Sequence, residues 1–384
     1  MGNFELWKIE SYELLKKWNF EPSKYNESSI PILTVYSYPE LVKLFGIIKS
    51  HFSKRNLKIL LRGQQNDYNH QTSSIFRCDL TRNFKPIIKE LRESLIKSIY
   101  YLKESKGLNI LNILAIEPIL QHYGIPTPWI DLVDDLPHAI WFSLYKQNVK
   151  EFPEIKSILE SQDLFKNPKK RDIKPHLYIY GLKTPNTLIN GLYEGDEQLL
   201  INLRESFEPL AIRPHFQNAY LMTQKNDIDY LDSDKHDPEY ESDYNKYVLT
   251  VIKIDKSAFE ITLSPNGIFN QSNVFPEEDS DTIFYKLREI ELVSNYLVTH
   301  IDFEKLINRF SEIDQQTLFN KKLNIENGRL INEFDNNEIK VILKYFLYFK
   351  FLDLDFKTVF KGVNEIFNNL WNELKQIDKF TEFY

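Results

Sequence analysis

Gln121-His122-Tyr123-Gly124-Ile125-Pro126-Thr127-Pro128-Trp129-Ile130-Asp131 decides how this chain folds, because it ends one element and starts another within eleven residues. The residues before it, 111–123, read as an apolar helix that runs into Gly124, where a helix can stop. Pro126 and Pro128 bias the residues ahead of them toward extended backbone, so the chain passes as a strand through Trp129, Ile130 and Asp131. Asp134 or Asp135 can cap the next helix. Pro137 is tolerated in its first turn, and Ala139, Ile140, Phe142 and Leu144 form its packed side. Upstream, 57–61 is a short apolar run that ends in Arg62-Gly63-Gln64, the pattern of a buried strand leaving its sheet. These readings predict an α/β (α+β) core: a small mixed or antiparallel sheet with helices packed around it.

Working outward, Pro86 opens a long helix whose buried stripe is Ile88, Leu91, Leu95, Ile99 and Leu102, and Gly107 stops it. Residues 1–54 read as a helical lead-in broken by Pro22, Pro31 and Pro39, with Leu41, Leu44, Phe45 and Ile48 at helical spacing. Strands are expected at 176–180 and 247–254, and a shorter one at 219–222. Between Asp227 and Asp243 lie eight acids against one Lys235, which reads as a solvated loop. From 301 onward the pattern is helical. Phe356, Val359, Phe360, Val363, Phe367, Leu370 and Trp371 make an amphipathic stripe. Residues 339–352 are apolar nearly all round, which requires burial in this chain or against a partner. The expected division is a helical extension at 1–54, a central domain at 55–305 and a helical extension at 306–384.

Composition removes several function classes. The 384 residues include 27 Phe and 22 Tyr, enough for a packed core. The 11 Gly never cluster, so neither a P-loop nor a dinucleotide fingerprint is present. Cys78 is the one cysteine, which excludes an internal disulfide and a cysteine-based zinc site; His70, His215 and His236 have no metal-ligand spacing, so no metal is expected. The net charge of −7 gives no global field for nucleic acid. No basic leader with an apolar run opens the sequence, and the most apolar window, 341–354, contains Lys344 and Lys350 and is too short for a bilayer. The expectation is a cytoplasmic protein without a membrane partner.

Three segments together resemble the FRG domain family. The first is Leu60-Leu61-Arg62-Gly63-Gln64, followed by Ser73-Ser74-Ile75-Phe76-Arg77. The second is Gln121-His122-Tyr123-Gly124-Ile125-Pro126-Thr127 with Ile130-Asp131 and the helix at Ala139. The third is Arg213 with Gln217. Pro128 stands where the family has Arg, and Ala219 where it has Gly. The order of these elements is similar to that of the ADP-ribosyltransferase core, with Arg62 on its first strand, Asp131 on its second and Gln217-Asn218-Ala219 as its third motif. On that comparison Ala219 occupies the place of the catalytic Glu.

The resemblance implies an NAD-dependent, ADP-ribosyltransferase-like effector, a toxin or an antiviral-defence component. Arg62, Gly63, Gln64, Gln121, Tyr123, Thr127, Arg213 and Gln217 would line the NAD site, with His122 and Asp131 catalytic. Each residue also has a plainer reading. Arg62 suits bidentate phosphate binding or a structural ion pair. His122 is a general base or a helix-terminal histidine satisfied by nearby carbonyls. Asp131 orients Arg62 or His122, or is a helix-entry acid. Thr127 contacts a ligand or caps its own turn, and Arg213 is a second cation or a surface residue. A second hypothesis is a non-catalytic module that senses a nucleotide or a phage component. A nuclease is disfavoured by the acidic charge and the lack of clustered metal-binding carboxylates. Nucleic acid stays open as an acceptor, and the C-terminal helices as an antitoxin or oligomer surface.

Overall fold

The computed structural model describes residues 3–24, 29–67, 71–77, 92, 96, 113–122, 125–144, 175–184, 186–207, 212–233 and 240–255. The chain divides into two compact units, one of Met1–Arg77 and Leu102–Tyr285, the other of Cys78–Tyr101 and Lys286–Tyr384. Nearly all of the second lies outside the described residues, and so do the C-terminal helices expected from 306 onward.

In the first unit the described helices are α1 (Asn3–Lys17), α2 (Tyr38–Ser53), α3 (Ile116–His122), α4 (Leu136–Leu144), α5 (Leu203–Ser206), α6 (Ile212–Phe216) and α7 (Lys225–Asp232). The strands are β1 (Ser23–Lys24), β2 (Pro31–Val35), β3 (Leu57–Gln64), β4 (Ile130–Val133), β5 (His176–Lys183), β6 (Asn186–Ile189), β7 (Leu192–Glu194), β8 (Gln198–Asn202), β9 (Ala219–Gln224) and β10 (Val248–Ile254). They form one sheet in the order β1-β2-β10-β5-β3-β4-β9-β8-β7-β6, antiparallel except where β10 runs parallel to β2. The fold is therefore mixed α/β, as expected, but the sheet has ten strands and is not small. Two segments account for the difference. Residues 1–54 supply β1 and β2 as well as helices, so they share the core instead of forming a purely helical extension. Residues 186–202 form a meander, and Asn190 and Gly191, at φ of 36° and 79°, make its first tight turn.

Each face of the sheet buries alternate side chains. Leu57, Ile59 and Leu61 of β3 and Val133 of β4 pack beneath α2 and α4. Leu60, Ile130 and Leu132 join Tyr178, Tyr180, Tyr220 and Tyr247 on the opposite face. At the end of β4 the Asp135 carboxylate accepts the His138 N–H at 2.9 Å and caps α4, with Pro137 in the first turn.

The sheet is weakest at its centre. β3 pairs with β5 from Leu57 to Gln64, and β4 with β9 along its full length, yet β3 and β4 pair only at Leu61 and Val133. Beyond that pair the backbone ladder between β3 and β4 stops. Arg62-Gly63-Gln64 does not leave the sheet here, as the sequence reading expected; it stays in register against Tyr178, Leu177 and His176 of β5. What ends is the pairing on the other side of β3.

Gly63 is where α4 crosses β3. A Cβ there would strike the Ala139 carbonyl oxygen and lie 2.8 Å from the Ser143 nitrogen, both backbone atoms that cannot swing aside. Gly63→Ala is expected to lower stability by about 3 kcal/mol in urea unfolding. Gly46→Ala, on α2 with open space around the new methyl, is expected to raise it by roughly 0.5–1 kcal/mol. Equal effects at the two positions would contradict the α4 contact.

Candidate functional site

Helix α3 ends at His122, and the Ile125 N–H returns to the Leu120 carbonyl at 2.9 Å, a closure typical of helix C-termini. The chain then turns through 125–129 into β4, which sets the end of α3 beside Asp131. The Asp131 carboxylate accepts the Gln121 amide N–H at 3.2 Å and lies 3.1 Å from His122 Nδ1. An ionised carboxylate only accepts, so Nδ1 carries the proton of this contact. His122 is 4% exposed and Asp131 44%, so the pair presents its acid to the open side.

Desolvation pushes the Asp131 carboxyl up. The hydrogen bond and charge of His122, the Arg62 guanidinium and the Gln121 amide outweigh it and hold the group below 3.8. Alternation with Val133 puts Asp131 on the α4 side of the sheet, whereas Arg62 alternates with Leu60 and stands on the other side. Where the strands part, Arg62 Nη1 reaches back and donates to the Asp131 carbonyl oxygen at 3.4 Å. That single long hydrogen bond is what the guanidinium makes among the described residues.

Gln121 is the hub of this region. Its Oε1 accepts from Ser74 Oγ at 2.8 Å, Thr127 N at 3.1 Å and Thr127 Oγ1 at 2.9 Å, while its Nε2 serves Asp131. Thr127 Oγ1 also accepts the Trp129 N–H at 3.2 Å, which is the turn-capping role. Gln121 and Thr127 are thus engaged inside the protein, holding Asp131 and His122. Gly63 lies under α4, and Gln64 accepts the Gln71 amide at 2.7 Å on the Arg62 side. Tyr123 lies outside the described residues.

Arg213 and Gln217 lie on and just after α6. Arg213 is on α6, and its carbonyl accepts the Gln217 N–H at 3.0 Å. The next residue, Asn218, has φ +49° and ends the helix. Asn218 binds Asp135 at 2.5 Å and accepts from Arg204 at 2.7 Å, and Arg204 pairs with Asp134 at 2.8 Å. Ala219 is buried on β9 opposite Val133, so no carboxylate stands at the third-motif position.

Sequence reasoning passed over several groups. Ser74, read as a turn residue, bonds Gln121 directly. Glu117, one helical turn before Gln121, is buried and accepts Trp129 Nε1 at 3.2 Å; its i, i+4 spacing was the available signal. Gln65 Nε2, Thr72 Oγ1 and Ser73 Oγ, in the segment after β3, are buried without a hydrogen-bond partner.

Because Asp131 is held below 3.8, its contribution is present above the ordinary aspartate range and is lost as pH falls through its lowered value. Asp131→Asn is expected to be less stable than wild type near neutrality, with the gap closing in acid. Urea titrations at about pH 6 and about pH 3 measure it, and a gap that stays constant would contradict the pairing. Asp135, also held low, titrates in both proteins and cancels.

Comparison with curated proteins and with solved structures gives no match. The family model of the FRG domain matches residues 58–151. That span includes Arg62, Gly63, Gln64, Gln121, His122, Tyr123, Thr127 and Asp131 and leaves Arg213 and Gln217 outside. The chain carries an FRG domain, and the parting of β3 from β4 with its polar cluster lies within it.

Proposed function

We propose that the FRG domain binds a nucleotide diphosphate of the NAD type where β3 and β4 part, and that the protein is an ADP-ribosyltransferase-like effector with a toxin or antiviral-defence role. One observation carries the reading. Arg62, a planar fork of five donors, has a single long hydrogen bond among the described residues, to the backbone carbonyl of the Asp131 whose carboxylate meets His122.

The residues fit such a ligand in two respects. The unspent Arg62 donors suit a diphosphate, and the partnerless Thr72 and Ser73 hydroxyls nearby in sequence offer bonds to sugar hydroxyls. When bound, NAD supplies an activated glycosidic bond. The protein's part is to place the anion at Arg62 and to exchange a proton at His122 Nε2, with Asp131 fixing the ring through Nδ1. Gln121 and Thr127 act as positioning residues in this scheme.

A second reading, a sensor that binds a nucleotide without turnover, is favoured by Ala219 at the third-motif position and by the engagement of Asp131 with His122 and Gln121. Calorimetry with NAD and an assay of NAD consumption separate the two. Arg62→Ala is expected to weaken binding about tenfold or more. His122→Ala is expected to leave binding intact while slowing turnover roughly 10²–10⁴-fold. Binding without consumption in the wild type selects the sensor. Absence of both, or an Arg62→Ala variant that binds as wild type, overturns the ligand assignment.

A further inference from the structure

Among the described residues outside the site, Asp227 on α7 is a buried acid, and it lies in the stretch that sequence reasoning placed in a solvated loop. It is fully buried. Tyr240 donates its hydroxyl to Asp227 Oδ1 at 2.6 Å, and Ser242 Oγ lies 2.8 Å from Oδ2. The Tyr244 hydroxyl lies 2.7 Å from the same Oδ2 and 2.6 Å from the carbonyl oxygen of Pro128.

Protons can be counted here. A phenol has one, a carbonyl oxygen has none, and an ionised carboxylate has none. One Tyr244 proton cannot serve both Pro128 and an ionised Asp227. All the contacts are served when Asp227 Oδ2 bears a proton and donates it to Tyr244, which donates its own to Pro128. The surroundings agree. Burial raises the carboxyl above its usual range, more than the three hydroxyls and the charge of Lys246 lower it. Lys246 is itself paired with Glu197 at 2.6 Å and lies over the Tyr247 ring. Asp229 on α7 acts on Tyr240, and Thr223 and Gln224 of β9 meet Tyr244.

The acid also reaches the site. Pro128 lies between Thr127, which binds Gln121, and Trp129, which binds Glu117. Tyr240 stacks on Tyr230 at 4.1 Å, and Phe76, two residues after Ser74, packs on both rings. We propose that Asp227 is a positioning residue that works as a neutral acid: through Tyr244 it holds the 127–129 turn against the Gln121–Asp131–His122 chain, and its ionisation releases that hold. On ionisation the Oδ2 proton leaves to solvent, Tyr244 turns its proton to Asp227, and the Pro128 carbonyl loses its donor. Calling this regulation of a ligand site rests on the function proposed above; the protonation and its link to His122 do not.

A carboxyl that is harder to ionise folded than unfolded adds stability that is complete below 3.8 and is lost as pH rises through the folded value. The test uses the full chain labelled with ¹³Cγ-aspartate, the Asp227 signal being the one missing from Asp227→Asn. That signal is expected to titrate above the ordinary aspartate range. The His122 ring signals are expected to shift as Asp227 titrates in wild type and to lose that component in Asp227→Asn. On the acid side of the Asp227 titration Asp227→Asn should keep the wild-type Tm, while Asp227→Ala drops it by at least about 2 °C. Titration at or below the ordinary range, or an Asn variant as unstable as the Ala variant, overturns the neutral acid. A titrating Asp227 with unmoved His122 signals overturns the positioning role. None of these readouts uses NAD, so failure of nucleotide binding leaves them standing.

Discussion

One residue pair, Leu61 opposite Val133, joins the two halves of a ten-stranded sheet. Most of the site's geometry follows from how short that junction is. Apolar packing of β3 and β4 under α2 and α4 holds the strands together at the pair, and Gly63 lets α4 lie close on β3 just beyond it. Past the pair no backbone ladder satisfies the facing polar groups, and unbonded buried polar groups are costly. Side chains do that work instead. Arg62 serves the Asp131 carbonyl, and Gln121 and His122 serve its carboxylate.

Much of this was legible in the sequence because its signals are local. Pro126 and Pro128 forced the extended passage into β4, and Asp135 with Pro137 marked the start of α4. The apolar, β-branched and aromatic runs gave β5 and β10. Other parts were set by tertiary contact. Pro31–Val35 becomes a strand because β10 lies beside it in parallel, a partner more than 200 residues away in sequence. The meander at 186–202 did carry a local signal in Asn190-Gly191, which went unread among short strands interrupted by polar residues.

The site was legible in outline only. The family motif brought Arg62, Gln121, His122 and Asp131 forward; Gln121 and His122 meet the Asp131 carboxylate, and Arg62 reaches the Asp131 carbonyl from the other face. The sequence did not separate residues that face a ligand from those that hold them. Gln121 and Thr127 bond each other, and they also bond Ser74 and Trp129. Asp227 was hidden for a related reason. In a run of eight acids each looks solvated, and only the tyrosines that close over Asp227 distinguish it from its neighbours.

In this chain the segment that matches the FRG model places a polar cluster where the pairing of β3 with β4 ends. The most direct test is a crystal structure of the full chain soaked with ADP-ribose. The predicted result is a diphosphate against the Arg62 guanidinium, between β3 and β4 and within reach of His122. A diphosphate lodged instead at the Arg204–Asp134 corner, or no bound nucleotide at saturating concentration, would contradict it.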